Sequence, residues 1–138
     1  MNAPNYALDS STLIKILRKN PNPLVVANFS NAVLSGASII VPQPVHFEML
    51  RGFFYANATT QELAYKKFCA KYSIGRFTDA TWESAAKLYS YLRRHGWNVG
   101  DSDILIGAFC IENNCTIVTT NTKHFENMIN LTFVDWTQ

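Results

Sequence analysis

The sequence has 138 residues, of which 48% are hydrophobic and 16% charged, with a formal net charge of +2. This length and composition predict one globular domain over residues 1–138 with a core of its own, and they exclude a disordered chain. No apolar run approaches the roughly 20 residues that cross a bilayer, and residues 1–4 lack the parts of a signal peptide. We therefore expect a cytoplasmic protein with no membrane partner.

Short apolar runs alternate along the chain with segments of helical periodicity. In chain order, the patterns predict strand 5–9, helix 10–17, helix 24–34, strand 38–41, a helix from Pro42, helix 58–72, strand 74–77, helix 79–95, a helix from residue 101 or 102, strand 115–119 and strand 131–135. Ser10 or Ser11 can be the N-cap of the first helix, and Asp9 is the alternative cap because Asp is also among the preferred residues; Asp79 is the expected N-cap of the fifth helix.

The helix that begins after Gly100 is the most apolar segment of the chain. With Asp101 or Ser102 as its N-cap, Asp103 falls in the first turn, where a carboxylate meets exposed N–H groups. From Ile104 onward the run is apolar on all sides, which predicts a buried helix. Its backbone should hold Asp103 more rigidly than Asp101, so we assign direct chemistry to Asp103 and a supporting role to Asp101.

Strands alternating with helices predict a parallel sheet covered on both faces, a three-layer α/β/α sandwich with short strands. Ligands in such sheets bind beyond the carboxyl ends of the strands. The predicted elements bring one set of polar residues to that edge: Asp9, Glu48, Asp101, Asp103, Thr119, Thr120 and Asn121. If the four acids gather there, the twelve basic residues outnumber the remaining acids on the rest of the surface, which favours a polyanionic partner.

Several carboxylates at one edge repel one another unless a cation lies between them. Mg²⁺ and Mn²⁺ prefer oxygen ligands and need only one or two protein carboxylates beside water and phosphate oxygens. A bound ion of this kind lowers the pKa of water and stabilises a leaving oxygen. The residues therefore predict Mg²⁺ or Mn²⁺ as cofactor and phosphodiester hydrolysis as the reaction.

Four short motifs in order resemble those of PIN-domain ribonucleases. They are Leu8-Asp9-Ser10-Ser11-Thr12-Leu13-Ile14, Phe47-Glu48-Met49-Leu50-Arg51-Gly52, Asp103-Ile104-Leu105-Ile106-Gly107-Ala108 and Val118-Thr119-Thr120-Asn121-Thr122-Lys123-His124-Phe125. Together they span almost the whole chain. A free-standing domain of this size resembles the toxin half of VapBC toxin–antitoxin pairs, which implies a PIN-like fold.

The resemblance implies that Asp9, Glu48 and Asp103 are the catalytic, metal-binding acids, and that Ser11 supports Asp9. Thr119 and Asn121 belong to the supporting group. Two motifs depart from the family pattern: Ser10 and Ser11 stand where Thr-Asn often follows the first acid, and Asn121 stands at a fourth acidic position. The second departure predicts that a second metal is weak or absent.

The resemblance also implies the partners: an RNA substrate, often transfer RNA, a cognate antitoxin protein and a second copy of the chain in a homodimer. An antitoxin Arg is expected near the three acids, since a guanidinium matches carboxylates. Two other functions stay open at this point. One is a PIN-like module that binds RNA or protein without cutting RNA. The other is a phosphotransfer receiver, but the order of acidic residues that is usual in receivers is missing from this sequence.

Several residues receive only weak assignments from the sequence. Trp82 and Tyr89 either stack on bases or pack, and packing is favoured because both lie in the apolar stripe of their helix. His46, His95 and His124 show no shared metal-ligand spacing and are given no role. Cys69, Cys110 and Cys115 likewise show none, so the cysteines are expected to be reduced and structural.

Overall fold

The computed structural model describes residues 4–138. Residues 1–3, which carry part of the argument against a signal peptide, lie outside the described part. No helix within the described residues is long and apolar enough to cross a membrane.

Five strands and six α-helices follow one another in the predicted order. They are β1 (Asn5–Leu8), α1 (Ser10–Leu17), α2 (Pro23–Leu34), β2 (Ser38–Pro42), α3 (Gln43–Ala56), α4 (Thr59–Lys71), β3 (Ser73–Gly75), α5 (Asp79–Arg94), α6 (Asp101–Glu112), β4 (Cys115–Val118) and β5 (Thr132–Val134). A short 3-10 helix, Thr122–His124, was not predicted and follows the turn after β4.

The five strands form one sheet in the order β3-β2-β1-β4-β5, and every neighbouring pair is parallel. In the central strand, Ala7 lies opposite Ile40 on one side and Ile117 on the other. Helices flank the sheet, so the predicted three-layer α/β/α architecture is confirmed. The carboxyl ends of β1 and β4 meet side by side, because Leu8 is paired with Val118.

Helix α6 is buried, as its apolar sequence predicted. Ile104 and the residues from Ile106 to Cys110 are all buried. A Cβ atom at Gly107 would overlap the sulfur of Met128, so the missing side chain lets this helix pack closely against the segment before β5. The close packing fixes the helix that begins at Asp101 and carries Asp103 in its first turn.

Of the two possibilities for the cap of α1, a serine or Asp9, the structure has Asp9, whose carboxylate accepts a hydrogen bond from the backbone N–H of Ser10. Two other predicted helix caps are wrong. Thr78 caps α5 in a reciprocal arrangement with Thr81, and Gly100 precedes α6 without a side-chain hydrogen bond. In both cases a residue one or two positions before the predicted cap has the non-helical backbone that a cap requires.

Three large side chains on the apolar stripes of α4 and α5 are exposed. In α4, Leu63 is exposed, whereas Tyr65 and Phe68 are buried. In α5, Trp82 and Tyr89 are exposed, so the prediction that they pack in the core is wrong. Periodicity identifies one face of a helix, but it does not say how much of that face another element covers.

Candidate active site

Asp9 lies at the end of the central strand and is 4% exposed. One carboxylate oxygen accepts the N–H of Ser10 at 2.8 Å, and the other accepts the hydroxyl of Thr119 at 2.8 Å. The Ser11 hydroxyl lies 3.5 Å from that second oxygen. A buried carboxylate is costly unless it is hydrogen-bonded, and here both oxygens have donors.

The end of β4 supplies part of this support. Thr119 is fully buried, and its hydroxyl accepts the backbone N–H of Asn121 at 3.0 Å while it donates to Asp9. The Ser11 hydroxyl accepts the backbone N–H of Thr120 at 3.1 Å. The structure therefore brings Ser11 and Thr119 to Asp9, whereas Asn121 joins this network through its backbone and is itself exposed.

Glu48 reaches the same edge from α3. It is half-buried, and the Ser102 hydroxyl donates to its carboxylate at 3.1 Å. Burial raises the pKa of Glu48, and the charges of Asp9 and Asp103 raise it further, whereas Ser102 and Arg51 act in the opposite direction. Because both other acids act on its pKa, Glu48 lies within electrostatic reach of each of them. Ser102, considered beforehand only as a possible helix cap, positions this carboxylate.

Asp103 reaches the site from the first turn of α6. One oxygen of its carboxylate lies 2.8 Å from Nδ1 of His124, which is close enough for a hydrogen bond or an ion pair. Burial raises the pKa of Asp103, and Asp9 raises it further, while His124 lowers it. The sequence assigned His124 no role, although it lies in the fourth motif just beyond β4, and that position was the available signal.

Asp101 is not brought into this cluster. It is exposed at the first position of α6, and it lines a separate cavity with Trp82 and Tyr89 on the α5 side. Within residues 4–138 its carboxylate makes no hydrogen bond to Asp9, Glu48 or Asp103. A supporting role for Asp101 therefore stays a prediction, and Ser102 and His124 occupy the neighbouring positions instead.

The donor atoms of Asp9, Glu48 and Asp103 are all oxygens, which matches the preference of Mg²⁺ and Mn²⁺. Burial is the main cause of the raised pKa values of Glu48 and Asp103, and the charge of Asp9 raises both pKa values further. A cation between the acids would relieve this repulsion. In the arrangement described for residues 4–138, no three ligand-type side chains are grouped closely enough to hold a metal ion. Since Mg²⁺ keeps several waters, one or two of these carboxylates are enough to bind it.

The site as a whole is an acidic cluster with polar support at the carboxyl edge of a parallel sheet, where such folds bind ligands. Each acid comes from a different element and has its own hydrogen-bonding partner: Thr119 for Asp9, Ser102 for Glu48 and His124 for Asp103. This arrangement suits the binding of a hard cation and, through it, a phosphate.

Comparison with known proteins agrees with this architecture. The family model described as PIN domain matches residues 6–130. Ribonuclease VapC1 of Haemophilus influenzae (strain R2866) is 20% identical to the chain over 134 residues, which cover 96% of this chain and 98% of that protein. Ribonuclease VapC2 of Rickettsia felis (strain ATCC VR-1525 / URRWXCal2) is 24% identical over 132 residues, which cover 95% and 97%.

Solved structures of similar fold cover nearly the whole chain. One is the structure of VapBC2 from Rickettsia felis bound to a promoter DNA fragment, which superposes with a TM-score of 0.86 at 22% sequence identity. The superposition covers 96% of this chain and 98% of the matched chain. VapBC-1 from nontypeable Haemophilus influenzae superposes with a TM-score of 0.83 at 20% identity, with coverages of 97% and 99%.

Proposed function

Because the chain belongs to the PIN-domain family, we propose that it is an endoribonuclease that acts as the toxin of a toxin–antitoxin pair. Residues 1–138 act as one PIN-like domain that hydrolyses phosphodiester bonds in RNA in the cytoplasm. The observation that carries the proposal is the convergence of Asp9, Glu48 and Asp103 at the carboxyl edge of the sheet, where burial and then the neighbouring acids raise the pKa of Glu48 and of Asp103. The similarity to VapC ribonucleases over almost the full length supports it.

The proposed cofactor is Mg²⁺ or Mn²⁺, held by carboxylate oxygens of Asp9, Glu48 and Asp103. When bound, such an ion supplies a water of lowered pKa and stabilises charge on the phosphate oxygens. The oxygen-only donor set supports this choice, and the electrostatic strain among the acids explains why a cation is favoured there.

The residues around the three acids hold their carboxylates in place. Thr119 and the N–H of Ser10 orient Asp9 from two sides, which fixes it relative to the sheet. Ser102 orients Glu48, and His124 orients Asp103. Ser11, hydrogen-bonded to the turn after β4, completes the support. A rigid set of oxygens costs little reorganisation when the substrate binds.

The proposed partners are an RNA substrate, a cognate antitoxin and a second copy of the chain. The antitoxin inhibits by placing a basic side chain, Arg by preference, beside the three acids, where it competes with the metal. VapBC complexes among the similar structures support an antitoxin partner. Transfer RNA is the first substrate to test, because the family resemblance implies it.

The test is cleavage of an RNA pool by the purified protein. We expect cleavage with Mg²⁺ or Mn²⁺, no cleavage in excess chelator and no support from Ca²⁺, which tolerates looser geometry. Full cleavage in chelator would contradict the metal requirement. Tight RNA binding without cleavage under any divalent ion would instead identify a non-catalytic PIN-like binding module. Asn121 at the fourth acidic position and the serines at positions 10 and 11 are the features that favour this alternative.

A further inference from the structure

Thr12 is a polar residue in a buried position next to the acidic site. It lies in the first turn of α1 and is 1% exposed, and the neighbouring Leu13 is the other buried residue of this helix. Threonine is a weak helix former, and a buried hydroxyl is unfavourable unless it is hydrogen-bonded. An apolar side chain would therefore serve packing alone better than threonine does, so the value of Thr12 lies in the contact that its hydroxyl makes.

The Thr12 hydroxyl donates a hydrogen bond to the backbone carbonyl of Val118, the last residue of β4, at 3.0 Å. The same carbonyl oxygen accepts the backbone N–H of Asp9 at 3.0 Å, and a carbonyl oxygen has two lone pairs for two such donors. The backbone N–H of Thr12 in turn donates to the carbonyl of Asp9 at 3.0 Å. Asp9, Thr12 and Val118 thus form a closed ring of hydrogen bonds.

Two further hydrogen bonds join the same two segments. Three consecutive residues at the end of β4 are in this way each bonded to the start of α1. The bonded pairs are Val118 with Thr12, Thr119 with Asp9, and Thr120 with Ser11. We call these three contacts the α1–β4 junction. Thr12 makes the most deeply buried side-chain contact to the backbone of β4 in this junction, whereas the bond from Thr120 to Ser11 is only partly buried.

The α1–β4 junction also bears on Asp103. Directly after it, the chain forms the short 3-10 helix Thr122–His124, and the backbone N–H of His124 donates to the carbonyl of Asn121 at 3.0 Å. The side chain of His124 lies 2.8 Å from the Asp103 carboxylate. The junction therefore fixes the segment that holds Asp103 relative to the strand that ends at Asp9. A shift of this segment against α1 would change the separation of the two carboxylates.

We propose that Thr12 is a positioning residue of the active site, whose hydroxyl fixes Asp9 relative to Asp103 and thereby sets the affinity of the acids for a divalent cation. This inference rests on the proposed metal-dependent function and adds a residue to it. Replacing a residue that orients metal ligands typically lowers metal affinity or activity by about 10–100-fold. Because Thr12 acts through the backbone of Asp9 and of Val118, we expect the lower end of this range.

The test measures Mn²⁺ affinity by electron paramagnetic resonance, which counts the free ion and needs no RNA. Thr12→Val keeps the shape of the side chain but removes the hydroxyl, and it should bind Mn²⁺ about 10-fold more weakly than the wild-type protein. Thr12→Ser keeps the hydroxyl but loses a buried methyl group, and it should bind Mn²⁺ as the wild-type protein does. A buried methyl group and a hydrogen bond stabilise a protein by similar amounts. Urea denaturation should therefore show similar stability for both variants, so that a difference in Mn²⁺ affinity reports the hydroxyl alone.

Thr81→Val is the matched control. Thr81 is also 1% exposed, and its hydroxyl donates to Glu112 at 2.8 Å. Glu112 is the last residue of α6 and lies about 14 Å along the helix axis from Asp103, at 1.5 Å per residue. The control should therefore leave Mn²⁺ affinity unchanged. Equal Mn²⁺ affinities for Thr12→Val and Thr81→Val, or equal losses for Thr12→Val and Thr12→Ser, would overturn the proposal.

A second pair of variants decides the matter if Thr12→Val does not fold. Thr12→Ala and Thr12→Ser differ only by the hydroxyl, since both lack the methyl group. Weaker Mn²⁺ binding by Thr12→Ala than by Thr12→Ser supports the positioning role, and equal binding overturns it.

RNA cleavage separates this inference from the proposed function. For Thr12→Val we expect the Mn²⁺ concentration at half-maximal cleavage to rise about 10-fold, with the KM for RNA unchanged. If the wild-type protein cuts no RNA while Mn²⁺ affinity follows the hydroxyl, the role of Thr12 stands and the ribonuclease does not. If the wild-type protein cuts RNA and Thr12→Val requires no more Mn²⁺ than it does, the ribonuclease stands and the role of Thr12 is overturned.

Discussion

The two halves of the acidic site are built in different ways. Asp9 is buried at the sheet edge with donors on both carboxylate oxygens, from the start of α1 and the end of β4. Glu48 and Asp103 project from helices, are only partly buried, and have raised pKa values because burial and neighbouring acids disfavour their charged forms. Asp9 is therefore held by the hydrogen bonds of the fold itself, whereas burial disfavours the charged forms of Glu48 and Asp103, and we propose that their function explains their presence at this edge.

The largest expected effect on activity follows from Asp103→Asn. The amide keeps the shape of the side chain but loses the charge, so RNA cleavage should fall by about 100-fold or more. The free energy of unfolding should change by no more than about 1 kcal/mol, because the partly exposed pair with His124 adds little and the carboxylate has a raised pKa. Cleavage assays and chemical denaturation measure both quantities.

Asp101→Asn is the matched control for Asp103→Asn in the same helical turn. Because Asp101 is exposed and lines a different cavity, we expect its substitution to lower cleavage by at most about 10-fold, the lower bound for an outer supporting residue. Near-normal cleavage by Asp103→Asn, with loss in Asp101→Asn, would reverse the assignment of the two acids.

Asp9→Asn should break both the chemistry and the fold. Cleavage is lost, and the free energy of unfolding should fall by about 1–3 kcal/mol, because the amide nitrogen faces a donor and leaves a buried hydroxyl without its acceptor. Asp135→Asn is the matched control, since Asp135 also accepts a backbone N–H and a threonine hydroxyl, both from Thr137, but is less buried. Equal stability losses in the two variants would show that the buried network at Asp9 adds nothing.

A smaller effect than the loss of Asp9 or Asp103 is expected from the residue that holds Glu48. Ser102→Ala removes the hydroxyl that lies 3.1 Å from its carboxylate, so the pKa of Glu48 should rise further and cleavage should fall about 10-fold. Ser84→Ala removes a hydroxyl at the same distance from Glu112, away from the acids, and should leave cleavage unchanged. A Ser102→Ala enzyme as active as Ser84→Ala would mean that Ser102 does not position Glu48.

Much of the fold was predictable because it depends on local patterns. Short apolar runs between segments of helical periodicity predicted the positions of the strands. The alternation of these strands with helices predicted a parallel sheet. Asp9 was placed correctly because a residue that directly follows a strand must lie at the sheet edge. Thr119 followed from the same argument applied to β4.

The contacts of the site were less predictable. The pairing of Asp103 with His124 and of Glu48 with Ser102 joins residues 21 and 54 positions apart, and no periodicity within one element reports such distances. The N-caps of α5 and α6 were misplaced by one or two residues, since neighbouring Thr, Asp, Ser and Gly residues are all accepted at this position.

The sequence by itself determined the order of elements, the parallel sheet and the edge at which the acids gather, because these follow from hydrophobic period and chain direction. Only the tertiary structure decided which faces stay uncovered. Trp82 and Tyr89 lie on an apolar stripe of their helix that predicts burial in the core, yet both side chains are exposed. Burial depends on the neighbour that packs against a helix, and that neighbour is chosen by the whole fold rather than by the helix's own residues.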